Sequence, residues 1–203
     1  RKVKNFKNQN YTIPKYDKKI LVNEANLFYD WYVQNNLSKL RKKRFCKNFK
    51  KIIKKLTLKL KLKDNIFVHR DFHVSNLMSV KNQIGLIDSQ DALIGNKAYD
   101  LASLIDDVRL KTSYSFKEKI FKLYIKKQKN LDIKKFKNDF EILSVLRNLK
   151  IIGIFTRLAL RDRKKNYLRL IPYTWQLINM RIDQNQTFID LKNLLSQNFK
   201  KIK

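Results

Sequence analysis

The residues best equipped for chemistry lie in one short central stretch. The segment "FVHRDFHVSN" (67–76) holds both histidines of the chain, Asp71 and Asn76. Asn76 follows Asp71 by five positions, and Asp88 follows Asn76 by twelve. A carboxylate can accept the proton of an attacking hydroxyl. An amide oxygen and a second carboxylate suit Mg²⁺, a hard cation that takes oxygen donors and keeps several waters. Phosphoryl transfer needs that set, because catalysis there is mostly neutralisation of the phosphates and aiming of the acceptor. A polar turn between two core elements is the plain alternative for the same residues.

The flanking sequence must bring these groups together. Ile66–Val68 and "IGLID" (84–88) are apolar runs too short for helices, so they read as strands. Paired as a hairpin, they would put Asp71, Asn76 and Asp88 at one end. The surroundings read as helices: 20–34, 44–56, 100–110, 116–128, 136–164, 173–182 and 187–199, spaced for one apolar stripe each. "LTLKLKL" (56–62) alternates with period two but follows a helix directly, and continuation of the helix is the preferred reading. Residues 1–19 are polar and basic, with Pro14 as a helix breaker, and read as a lead-in. Residues 20–203 then form one mostly helical body with a small strand-bearing centre, an α+β class.

Composition narrows the function classes. The 203 residues are 43% hydrophobic, which suits a packed domain rather than a disordered chain. No apolar run approaches the ~20 residues of a membrane helix. A single cysteine, Cys46, excludes an internal disulfide framework and fits a reducing cytoplasm. The net charge of +30 favours anionic ligands such as nucleotides and disfavours self-association, so a monomer is expected. The lysines are spread along the whole length and mixed with asparagine, unlike the clustered footprint of a nucleic-acid binder. A basic nucleic-acid-binding helical protein is nevertheless kept as the alternative from another class.

"HRD" with Asn five positions after the Asp resembles the catalytic loop of the protein-kinase superfamily. "VHRDFHVSNLM" followed by "GLIDSQDALIGNKAYDLASLIDD" looks like the aminoglycoside phosphotransferase / choline kinase family. Within it, "DSQDALIGNKAYDLASL" most resembles the anomeric kinases that phosphorylate N-acetylmuramate and N-acetylglucosamine at C1. "IPKYDKKILVNEANLFYDWYV" and "LRNLKIIGIFTRLALRDRKKNYLRLIP" look like the flanks of those kinases, so the resemblance covers about residues 11–180.

The resemblance implies a kinase-like fold, of which this chain would hold the mostly helical C-terminal lobe with a small β-hairpin at the catalytic site. It implies ATP and Mg²⁺ as cofactors and a sugar as small-molecule partner, in cell-wall sugar recycling. Asp71 would be the catalytic base, and Asn76 and Asp88 the metal ligands. His73 and Asp91 are candidates for phosphate or substrate contact. His69 and Asp100 are read as structural support of the loop, with Asp100 also a helix N-cap. Glu24, Asp30 and Trp31 could meet a sugar, with an amphipathic helix as the plain reading. Arg147 and Arg157 could pair an acceptor carboxylate or simply lie on a solvated helix face. Asp106 and Asp107 are most simply a helix face.

The pattern departs from protein kinases, since Asp88 is followed by Ser89-Gln90 and not Phe-Gly. About 65 residues precede the motif, without a glycine, whereas family members carry a nucleotide-gripping lobe there. The expectation is therefore a lobe of a larger kinase. Other acceptors of the family, an aminoglycoside, choline or homoserine, stay open. The excess of bases over acids, 47 against 17, weighs against the cationic ones.

Overall fold

A computed structural model describes residues 2–4, 7, 8 and 10–199. In chain order they form strands β1 (Lys2–Lys4) and β2 (Asn10–Thr12) and helix α1 (Lys18–Leu27). A π-helical turn (Phe28–Val33), α2 (Gln34–Asn36) and α3 (Lys39–Leu58) follow. The centre holds β3 (Asp64–Val68), a 3-10 turn (Val74–Asn76), β4 (Leu77–Val80), β5 (Gln83–Leu86) and β6 (Leu93–Asn96). Helices α4 (Tyr99–Ile105), α5 (Tyr114–Lys126), α6 (Ile133–Leu160), α7 (Ile171–Ile182) and α8 (Ile189–Asn198) complete the chain. The chain divides into two compact units. One comprises the residues up to Asp17 with Lys61–Phe140, the other Lys18–Leu60 with the residues from Glu141 onward.

In the first unit the strands pair differently from the expected hairpin. The run Ile66–Val68 does not pair with residues 84–88. It lies in β3, which runs antiparallel to β6 with Phe67 opposite Ile94 and Val68 opposite Leu93. β5 instead closes on β4, with Leu77 opposite Leu86 and Val80 opposite Gln83. The cause is local. Lys81 and Asn82 both take left-handed backbone angles, φ 42° and 64°. Two such residues form the tight turn whose twist matches a hairpin, and asparagine is among the residues that tolerate it.

The segment read as a lead-in is also partly built into this unit. β1 and β2 pair antiparallel. Residues 14–16 then run beside β6, with Ile94 N donating to Pro14 O and Tyr16 N to Ile94 O, both at 2.8 Å. Gly95 permits this. A Cβ there would stand 2.9 Å from Tyr16 Cβ and 3.3 Å from Val68 Cγ2. The buried Tyr16 ring meets Tyr99 edge-on at 4.9 Å.

Asp139 pins the entry into β3. Its carboxylate is fully buried and accepts from Lys61 N, Leu62 N, Asn96 Nδ2 and Asn138 Nδ2 at 2.7–3.1 Å. A buried charge is tolerated when hydrogen bonds replace its water. The Asn96 side-chain oxygen also accepts from Ala98 N at 3.0 Å, just before α4.

The second unit is all helical. Phe28, Phe45, Phe49, Trp175 and Phe199 form an aromatic cluster, with Phe28 5.6 Å from Phe49 and 5.7 Å from Trp175. Those separations lie in the range of favourable ring pairs. Helix 20–34, expected as one piece, widens into the π turn at Phe28. Gly153 of α6 presses on that transition: a Cβ would fall 2.3 Å from Leu27 C and O and 2.6 Å from Phe28 N. Residues 56–58 continue α3, which ends at Leu58.

Candidate active site

The first unit carries Asp71, His73, Asn76, Asp88 and Asp91, together with His69 and Asp100. The apolar pair β3–β6 delivers the chain to His69, which is buried. His69 Nε2 lies 2.9 Å from Ile87 O and ties the end of β3 to the residue before Asp88. The imidazole is thereby engaged in packing, with its Nδ1 buried and unpartnered among the described residues.

Asp100 holds the next step. Its carboxylate accepts from His69 N at 2.7 Å and from Arg70 N at 3.1 Å. Asp100 is not the N-cap of α4: that position is Ala98, and Asp100 lies in the first turn. The sequence reading located the cap two residues late, because the helix starts earlier and the carboxylate is used outside it. Arg70 adopts φ 73°, a left-handed conformation costing about 1–2 kcal/mol for a non-glycine residue. The two charge-assisted bonds to Asp100 offset that strain. The Arg70 guanidinium lies 5.2 Å from the centre of the Tyr16 ring, and its Nη1 donates to Asp91 O at 3.0 Å. Burial pushes the Tyr124 phenol above its usual value, and the negative charge of Asp100 adds to the effect.

The turn that follows fixes Asn76. His73 N donates to Asp71 O and Asn76 N to His73 O, at 3.0 and 2.9 Å. Asn76 Nδ2 donates to Asp71 O at 3.0 Å. With its nitrogen engaged there, the amide has Oδ1 left to meet a cation. Ile87 N donates to Asn76 O at 3.1 Å, which extends the β4–β5 ladder by one rung and seats Asp88 directly after it. Asp88 is exposed with φ 68°, and its Oδ1 accepts from Gln90 Nε2 at 2.7 Å. The main chain thus brings Asn76 beside the residue before Asp88, on β4–β5 rather than on 66–68 with 84–88.

A metal would find hard oxygen donors here: Asn76 Oδ1 and the Asp88 carboxylate. No group of three or more His, Cys, Asp or Glu residues suited to a metal exists among the described residues. Two protein oxygens completed by waters and phosphates is nonetheless the usual Mg²⁺ arrangement, so this donor set fits that ion. The half-buried Asp71 carries its carboxylate at the opening of the same turn. His73 is buried, and the carboxylate-bearing Asp91 is exposed.

Sequence reasoning missed Asp107. It is not part of a solvated face: its side chain is 1% exposed, and Oδ2 accepts from Val74 N at 3.0 Å. Asp106 is equally buried, 3.6 Å from the buried Lys117 ammonium. Helix α4 ends at Ile105, so both carboxylates lie just past it, where the helical face no longer dictates direction.

The remaining candidates belong to the second unit. Glu24 pairs with Lys150 at 2.9 Å, both largely buried. Asp30 is exposed, though partial desolvation holds its carboxyl above the ordinary range. Trp31 is half-buried, and its carbonyl accepts from Asn35. The neighbouring Tyr32 ring is taken up by Phe28, Trp175 and Phe199. Arg147 is buried, which overturns a solvated helix face for it, and Arg157 is half-buried. Arg147 Nη1 and Arg157 Nε have no hydrogen-bond partner among the described residues.

A family model described as the phosphotransferase enzyme family, APH, matches residues 15–130. An N-acetylmuramate/N-acetylglucosamine kinase of Neisseria meningitidis serogroup B is 33% identical over 166 residues, covering 79% of this chain and 50% of the relative. A protein of the same name from Pseudomonas aeruginosa is 30% identical over 190 residues, covering 91% and 56%. One from Pseudomonas putida is 27% identical over 191 residues, again 91% and 56%. The chain spans about half the length of the curated relatives it matches. By the extent of the family match and by these identities, the chain belongs to the phosphotransferase enzyme family.

Proposed function

We propose that this chain carries the catalytic loop of an ATP- and Mg²⁺-dependent kinase acting on an amino-sugar, with C1 of N-acetylmuramate or N-acetylglucosamine as the acceptor. One observation carries the reading. Asn76 is oriented by its bond to Asp71 O and joined through its own carbonyl to the residue before Asp88, so the main chain links the three proposed site residues. The names of the similar kinases support the acceptor class.

In the reaction, the sugar hydroxyl oxygen bonds to the γ-phosphorus while the bond from that phosphorus to the bridging oxygen of ADP breaks. Asp71 takes the hydroxyl proton. Bound Mg²⁺ supplies charge neutralisation for the phosphates. Asn76 and Asp88 would hold that ion, and Asp100 keeps the strained Arg70 backbone in place directly before Asp71. His73 and Asp91 are the next candidates for phosphate or substrate contact.

The test is ADP release by the natural full-length protein over amino-sugars, aminoglycosides, choline and homoserine, with ³¹P NMR of the product. Turnover of an amino-sugar to an anomeric phosphate is expected. Turnover confined to aminoglycosides, choline or homoserine would replace the acceptor, and a metal-independent rate would remove the mechanism.

A further inference from the structure

We propose that Asp107 is a positioning residue for the metal-binding end of the catalytic loop, acting through the Val74 N–H; the inference rests on the proposed function of Asn76 and Asp88.

The loop is tied down at two places by carboxylates from opposite ends of α4. Asp100, in the first turn of α4, holds His69 N and Arg70 N before Asp71. Asp107, two residues past its end, holds Val74 N after Asp71. From Asp100 to the end of α4 at Ile105 the helix rises about 8 Å at 1.5 Å per residue, and Asp107 follows two residues on. Helix α4 therefore acts as a splint whose length sets the span of the loop between its two ties.

Asp107 is arranged for this task. Its Oδ1 accepts from Arg109 N at 3.0 Å and lies 3.4 Å from Arg109 Nη1, which fixes the carboxylate. Its Oδ2 is directed to Val74 N at 3.0 Å. Among the described residues, Val74 is the one partner of Asp107 outside its own turn. A carboxylate with 1% side-chain exposure is costly to bury, and an apolar residue in its place would strand the Val74 N–H. Val74 opens the 3-10 turn that ends at Asn76, so its N–H sets the angle at which the Asn76 amide leaves the turn. Loss of the tie frees the start of the turn, so that the angle of the Asn76 amide rests on its bonds to Asp71 O, His73 O and Ile87 N. The consequence falls on the metal rather than on the sugar.

The test uses the natural full-length protein and Mn²⁺ as a probe for Mg²⁺, titrated in the presence of ADP and followed by water-proton relaxation. Asp107→Ala is expected to weaken Mn²⁺ binding about tenfold, the low end for groups that orient metal ligands. Val74→Pro removes the same N–H from the other side, at a first helical position where proline is accommodated. It is expected to give the same loss and to add little in the double variant. Val74→Pro also decides the question if Asp107→Ala fails to fold. The sugar KM should remain within about twofold, since the tie acts on a metal ligand and not on sugar binding. Unchanged Mn²⁺ affinity in folded variants overturns the inference and leaves Asp107 a purely structural acid. So do independent, multiplying losses from the two single substitutions. A wild-type protein that binds Mn²⁺ and ADP but phosphorylates no amino-sugar overturns the acceptor assignment instead.

Discussion

Asn76 donates its side-chain N–H to the main-chain oxygen of Asp71 at 3.0 Å, so the metal ligand and the base of the proposed reaction share one hydrogen bond. The bond selects which amide atom faces outward. Asn76→Asp would set two oxygens against each other at that distance. We expect it to cost about 1–3 kcal/mol of stability, the penalty for an unsatisfied buried group. Denaturant midpoints of the two proteins would check this, and equal midpoints would mean the amide is oriented by something else.

Asp71→Asn keeps the size of the side chain and removes the proton acceptor. In the full-length protein kcat is expected to fall about 10²–10⁴-fold, the usual contribution of a general base. The Mg²⁺ requirement should be unchanged. Steady-state ADP release measures both, and a kcat within about threefold of wild type would reassign the base.

Asp88→Ala removes the exposed carboxylate at the hairpin end. The Mg²⁺ concentration for half-maximal rate is expected to rise steeply, because one of two protein oxygens is lost. A Mg²⁺ titration at saturating ATP and sugar gives the answer. An unaltered curve would exclude Asp88 from the metal site.

Asp139 is distant from the loop in sequence but holds β3 at Lys61 and Leu62 and β6 at Asn96. Asp139→Ala strands several donors in a buried site. The expected loss is about 3–5 kcal/mol, as for breaking other buried charged networks. Thermal or urea unfolding would register it, and a loss below ~1 kcal/mol would mean that water reaches these donors.

Gly153→Ala tests the close approach of α6 to the start of the π turn. With a Cβ 2.3 Å from Leu27 C and O, backbone has to move, and a cost of about 1–3 kcal/mol or more is expected. Ala is otherwise the better helix former by ~1 kcal/mol, so a neutral or stabilising effect would show that the two helices separate freely.

The sequence by itself determined which residues make up the proposed site, because their spacing is local. Asp71 and Asn76 are five positions apart, and their mutual bond spans one turn. The hairpin that adds Asp88 closes through Lys81-Asn82, a two-residue turn also written in adjacent residues, although the spacing of apolar runs first suggested a different partner strand. Helix positions were legible for the same reason, since a stripe of apolar residues is a short-range pattern.

The tertiary structure decided which carboxylates support the loop. Asp107 and Asp139 look like ordinary polar positions of helices in sequence, and the donors that bury them come from Val74 and from Lys61 and Leu62, far along the chain. Periodicity states where a side chain leaves its helix, not whether a distant N–H awaits it. The π turn at Phe28 has the same origin: its neighbour Gly153 lies 125 residues later, and only the packing of those helices makes the missing Cβ matter. Pairing of β3 with β6 likewise joins segments separated by the whole β4–β5 hairpin, which the apolar runs alone do not specify.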